Sequence, residues 1–123
     1  MQLHDFRTTT TLELSRGVTA QAVHTSNITI AHVTLLEGSV VPQHAHHHEQ
    51  VVNVVEGELE LTVDGEVIVL TRGKTLILPP MVPHSARAIT QVYVMDVFHP
   101  AREDFKAMAE GTLRPHPYEK KSS

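Results

Sequence analysis

No cysteine occurs among the 123 residues. Disulfide staples and thiolate metal sites are thereby excluded, and the fold cannot depend on an oxidising compartment. No apolar run approaches the ~20 residues that span a bilayer. The N-terminal "MQLHDFRTTTTLEL" lacks a basic segment followed by an apolar one. Neither a membrane helix nor a secretory signal is expected, and a cytoplasmic location is the default. Basic residues are also in short supply. Ten Lys and Arg against 14 Asp and Glu give a net charge of −4, the wrong sign for a nucleic-acid surface. Internal repeats and low-complexity linkers are missing too. The length suits one core, not two. One domain is expected over residues 1–110, with a Pro-rich, charged, flexible tail over 111–123.

What the chain does have is histidine and β-patterning. Pro and Gly punctuate short β-rich runs every ten residues or so, which predicts an all-β sandwich or barrel. "NITIAHVTLLEG" and "QVVNVVEG" read as strands ending at Gly38 and Gly57. In "ELELTVDGEVIVL", Leu59, Leu61 and Val63 alternate with polar residues and lead into Asp64-Gly65. That pattern predicts a hairpin closed by a type I′ turn. "LILPPMVPHSARAI" reads as a strand broken by prolines and then resumed, and "QVYVMDVF" as the last strand. A short helix should follow, with Pro100 at its start, Glu103 and Asp104 in its first turn and Gly111 at its end. Phe105, Met108 and Ala109 would form its apolar stripe.

There are 10 histidines, where about 2 to 3 would be ordinary for this length. Four of them fall within five positions in "PQHAHHHEQVVNVVEGELEL", residues 42–61. In an extended strand His44, His46, His48 and Gln50 would share one face, with His47 and Glu49 on the other. Imidazoles at i and i+2 can reach one metal ion. His84, behind the Pro-stiffened turn of "PPMVPHSARA", is the candidate third ligand, and the Gln50 carbonyl oxygen a fourth. The competing readings are a solvated loop or a tag-like accident. The pairing of histidines entering an apolar strand, with a later histidine in a matching context, favours a metal site. His47 is expected to face away and His48 to sit at the rim. His4, His24, His32, His99 and His116 are read as surface or locally satisfied groups, and Arg87 as structural. Three imidazoles and an amide oxygen would suit one divalent transition metal ion: nickel, zinc, iron, manganese or copper.

These residues resemble the cupin superfamily. Its first motif is a Gly, five residues, His-x-His, three or four residues, Glu, six residues, Gly. Gly38, His44, His46 and Gly57 match it, with Gln50 in the place of the Glu. The second motif is a Gly, five residues, Pro-x-Gly, two residues, His, three residues, Asn. Gly73, Pro79 and His84 match, while Met81 replaces the second Gly and Ala88 the Asn. The resemblance implies a jelly-roll β-barrel of about eight to eleven strands with a short C-terminal helix. It also implies pairing into a homodimer, since small cupins often pair through sheet edges that need cover.

The segment "DVFHPAREDF", residues 96–105, together with "HEQVVNVVEGELELTVDGE" and "VPHSARA", resembles the KdgF family of pectin-degradation cupins. That family promotes linearisation of 4,5-unsaturated uronates to 4-deoxy-5-keto uronates. The resemblance implies a small sugar-acid substrate. Asp96 would move protons, Arg102 would clamp the substrate carboxylate and Phe98 would wall the sugar ring. A purely structural Asp96–Arg102 ion pair is the competing reading. Gln50 leaves the charge of a divalent ion uncompensated, which favours Lewis-acid work over oxygen chemistry. A cupin scaffold does not by itself give a function. A non-catalytic module for a sugar acid or metabolite, and a metal-dependent oxygenase, stand as alternatives.

Overall fold

The structure is a computed structural model and describes residues 1–111. His116 and all but the first residue of the expected tail lie outside the described residues. Among the described residues no helix is long and apolar enough to cross a membrane.

Ten strands run through these residues. They are β1 (Thr11–Ser15), β2 (Val18–His24), β3 (Thr29–Leu35), β4 (Val40–His44) and β5 (Glu49–Glu56). Then come β6 (Leu59–Val63), β7 (Glu66–Leu70), β8 (Thr75–Leu78), β9 (His84–Ala88) and β10 (Val92–His99). They form a six-stranded sheet in the order β1-β2-β3-β10-β5-β8 and a four-stranded sheet in the order β4-β9-β6-β7. Among the described residues every strand pairing is antiparallel. The two inner faces enclose the core. This is the expected all-β jelly roll.

Alternation sets which side chains face that core. On β3, Thr29, Ala31, Val33 and Leu35 are buried. On β10, Val92, Val94, Asp96 and Phe98 are buried. Each fully buried aliphatic contributes roughly 1.5–3 kcal/mol, so a one-residue slip that turned these positions outward would be very costly. The expected β6–β7 hairpin is present with a two-residue turn. Asp64 and Gly65 both have positive φ, 48° and 82°, the signature of type I′. Gly57 has no room for a side chain: a Cβ there would lie 2.2 Å from the Gln91 carbonyl oxygen.

Three expectations need correction. The β1–β2 hairpin, turning at Arg16-Gly17, lies ahead of the first strand read from sequence; the Ala and Gln of "VTAQAVH" are weak β formers, yet Val18 and Ala20 point inward. "LILPPMVPHSARAI" is not one interrupted strand: β8 lies in the larger sheet and β9 in the smaller. Residues 79–83 carry the chain from one sheet to the other. The helix α1 is shorter than expected, Glu103–Ala109, and Arg102 rather than Pro100 precedes it. Pro100 follows a cis peptide bond. Phe105 anchors the helix at 1% exposure with Met108 partly buried, but Ala109 faces out.

Candidate metal centre

Two sheets supply this site. His44 ends β4 and is the cross-strand partner of His84 on β9. Gln50, on β5, and Asp96 and Phe98, on β10, face inward from the larger sheet. Residues 45–48 form a bend between β4 and β5, so the 44–50 stretch is not one extended strand. The shared strand face expected for His44, His46, His48 and Gln50 is therefore absent, although His44, His46 and His84 do come together. His46 joins them because the bend folds it over the mouth of the sandwich. The Met81 N–H donates to the His46 carbonyl at 2.8 Å, tying the 79–83 crossing to that bend.

The ring nitrogens of His44, His46 and His84 that could bind an ion all lie within 4.8 Å of one another. Each ring is oriented by a local backbone carbonyl. His44 Nδ1 is 2.8 Å from the Pro42 oxygen, His84 Nδ1 is 2.9 Å from the Val82 oxygen, and His46 Nδ1 is 3.1 Å from the His48 oxygen. A carbonyl can only accept, so each Nδ1 carries the proton and each Nε2 presents a lone pair. Sequence reasoning had no signal for this arrangement.

Electrostatics keep those lone pairs available. Desolvation pushes His44 down to about 4 and His46 to about 3, and lowers His84. The positive charge of Arg102 adds to the effect at all three. All three rings are neutral near pH 7. His84 Nε2 is buried and makes no hydrogen bond within the protein.

Gln50 completes the set. Its amide donates a hydrogen bond to the Asp96 carboxyl, which turns its Oε1 the other way. That oxygen lies 3.1 Å from His46 Nε2. With Nδ1–H committed to His48, both atoms are acceptors and would repel unless a cation lay between them. Two donors ~2.1 Å from one ion and at right angles are ~3.0 Å apart, which matches. The residues present therefore fit a divalent metal. Asp96 is 8% exposed. Burial pushes its carboxyl up to about 7, against the hydrogen bond from Gln50 and the charge of Arg102.

A cavity of ≈ 60 Å³ opens beside these groups. Twelve of its sixteen lining residues are apolar; the polar ones are His44, Gln50, His84 and Asp96. Phe98 forms part of the wall.

Arg102 does not sit as expected. It is 1% exposed, sandwiched between Phe105 and Phe98 with its guanidinium carbon 3.9 and 4.6 Å from the ring centroids. Its Nε and Nη2 close on the Asp104 carboxylate at 2.9 and 2.8 Å. The Nε–Nη2 edge of its fork is held by Asp104, and the ion pair at the start of α1 is Arg102–Asp104. Arg102 reaches the site through its charge. His48 is likewise buried, at 5% exposure, stacked with His47 and edge-on to His46. It is an interior residue, not a rim one. His47 is exposed, as expected. His24 and His32 are satisfied locally by Thr29 and Tyr93, and Arg87 pairs with Glu60 across β9 and β6.

This geometry defines a class: a two-sheet β-sandwich with a neutral N₃O donor set at one mouth. The chain belongs to the cupin domain family, whose model matches residues 31–98. An RmlC-like cupin from Shewanella frigidimarina is 34% identical, with 85% of this chain and 96% of that one aligned at a TM-score of 0.79. KdgF from Halomonas sp. is 26% identical over 85% of this chain and 98% of its own, at a TM-score of 0.78. Oxalate decarboxylase from Bacillus subtilis aligns at 20% identity over 79% of this chain and 29% of that one, with a TM-score of 0.70, and shares the fold. No curated protein sequence matches the chain.

Proposed function

We propose that this chain is a metal-dependent cupin that promotes ring opening and ketonisation of 4,5-unsaturated uronates from pectin or alginate breakdown. One observation carries the reading: Gln50 bridges the three-histidine cluster and a buried carboxyl whose proton affinity lies near neutrality. His44, His46, His84 and Gln50 would hold the ion. When bound, it would supply Lewis acidity toward substrate oxygens without a ligand carboxylate to weaken it. The likeness to the Halomonas KdgF supports the substrate class.

The chain's own groups have separate tasks. Asp96 is the one carboxyl lining the cavity. It would take the proton of the anomeric hydroxyl as the ring opens. The ring C–O bond breaks with its electron pair left on the ring oxygen as an enolate, and Asp96 would then return the proton to the enol carbon, which gives the keto product. A carboxylate whose proton affinity is raised by burial can do both. Gln50 holds it by hydrogen bond. Phe98 walls the ring and limits water. Arg102, fixed by Asp104, makes the local field positive, which favours an anionic substrate without contacting it.

The test follows loss of the ultraviolet absorbance of the conjugated uronate. Metal-loaded protein should speed that loss. Asp96→Asn should abolish the acceleration while leaving bound metal unchanged. No acceleration by the metal-loaded wild type would refute the proposal. The largely apolar cavity lining favours one competitor, a module holding a small chelating metabolite with an apolar body. It would show saturable binding and no product.

A further inference from the structure

His44, Gln50 and His84 are held by strand pairing, but His46 is not. It sits in the bend at residues 45–48. Its ring takes its direction from the His48 carbonyl, which accepts the Nδ1 proton at 3.1 Å. Whatever fixes residue 48 therefore fixes this candidate ligand. The proposed chemistry makes no use of the His48 ring, yet that ring is buried. It lies edge-on to His46 and Phe98, with centroids 5.3 and 6.3 Å away. Its Nδ1 is buried and makes no hydrogen bond among the described residues. The other ring nitrogen has the Ala101 carbonyl as its acceptor. A carbonyl only accepts, so this nitrogen, Nε2, carries the proton. Ala101 is buried too, and a buried carbonyl needs a donor.

We infer that His48 is a positioning residue for the metal centre: its ring fastens the 45–48 bend to the chain entering α1 and so holds the His46 imidazole in place. The competing reading is a ring that only fills space. A phenyl ring would fill the same space without burying a bare lone pair, which is unfavourable. The imidazole is explained by its second nitrogen, which a phenyl ring lacks. His48 then supports His46 twice, through its main-chain carbonyl and through ring contact. Metal-ligating imidazoles depend on such outer partners to fix ring orientation. A ligand carried on a bend depends on them more than one carried on a paired strand. The same link places Ala101 and, next to it, the Arg102 N–H, which donates to Thr29 Oγ1 at 2.8 Å. The ligand bend, the chain entering α1 and β3 are thereby tied in series. The inference rests on the metal-binding part of the proposed function and is independent of the uronate chemistry.

Co²⁺ is the probe. Competition with a chromophoric chelator gives its affinity, and the visible spectrum of the Co²⁺-loaded protein reports the ligand set. His48→Phe keeps the ring and loses the bond to Ala101. It should weaken Co²⁺ binding by about 10- to 100-fold and change the spectrum. His48→Leu, a second apolar variant, should behave alike. His48→Gln places an amide N–H where the Nε2–H stood, and should restore most of the affinity and the wild-type spectrum. Thermal unfolding of the metal-free proteins separates loss of the site from loss of the fold. A role in packing alone predicts the opposite order, with His48→Phe near wild type and His48→Gln impaired. That order, a wild-type affinity and spectrum in His48→Phe, or equal losses in His48→Phe and His48→Gln would each overturn the inference. A wild type that binds no Co²⁺ would overturn the metal centre with it. Absence of uronate turnover beside the expected Co²⁺ results would count against the proposed reaction alone.

Discussion

Lowering the pH sets protons against the metal for the same nitrogen lone pairs. Three ordinary imidazoles, with the usual pKa of 6.5, would each lose about 10-fold in availability between pH 7.5 and 5.5, or about 1,000-fold together. The folded site should behave otherwise. Desolvation holds His44 at about 4 and His46 at about 3. At pH 5.5 a group of pKa 4 is protonated only about 3% of the time. Two of the three ligands then contribute almost nothing to the loss. His84 is lowered as well, so its share is less than the ~10-fold of a free imidazole. Asp96 complicates the wild type, because burial raises its carboxyl to about 7 and a cation nearby would expel its proton. Asp96→Asn removes that proton while keeping the shape.

The experiment is a competition titration of Zn²⁺ or Ni²⁺ against a chromophoric chelator, corrected for the chelator's own protonation. In Asp96→Asn the affinity should fall by less than ~10-fold from pH 7.5 to 5.5. The wild type should lose up to one further proton's worth. A fall of ~100-fold or more in Asp96→Asn would mean that the imidazoles titrate as free ones. The burial argument for a preset neutral ligand set would then be wrong.

Other outcomes follow from single residues. Asp96 has its pKa raised from 3.8 to about 7 by burial, so the fold binds its proton more tightly than the unfolded chain does. Its stabilising contribution is present below pH 4 and is lost as the pH rises through 7. Asp96→Asn should therefore stabilise the metal-free protein by about 1–4 kcal/mol at pH 8 and by almost nothing at pH 4, read by urea denaturation. Met81 holds φ at 65° where the family motif has Gly, and its side chain is 60% exposed. Met81→Gly should relieve left-handed strain and raise stability by about 1 kcal/mol, seen as a higher Tm with unchanged metal content. Gly57→Ala should do the reverse. Its Cβ would meet the Gln91 carbonyl at 2.2 Å, and a loss above about 3 kcal/mol in thermal unfolding is expected.

The candidate ligand set was legible because its four residues lie within the two motifs, and each motif brings its own local geometry. His44 and His46 arrive by a bend, and His84 by a Pro-rich crossing whose Met81 keeps the glycine conformation without the glycine. Sequence spacing carries such information even when the local structure assumed is wrong, as it was for the extended 44–50 stretch. The pairing of Arg102 was not legible, for the opposite reason. Its partner Asp104 is two residues away across the start of a short helix. No periodicity announces that contact, and an arginine beside a cavity invites a substrate role. Burial decides the matter. A guanidinium at 1% exposure needs its partner inside the protein, and Asp104 meets that need.

A row of outward-facing aliphatics on the larger sheet is hidden by a different limit. Alternation tells which residues of one strand share a face, but says nothing of which strands lie side by side. Val23, Ile30, Val51, Ile77 and Val97 are scattered over 75 positions of sequence, each an unremarkable β former in its own strand. Only the antiparallel register aligns them. The same strands carry both surfaces. β5 sends Gln50 toward the metal centre and Val51 to the outer row, and β10 sends Asp96 and Phe98 inward and Val97 outward.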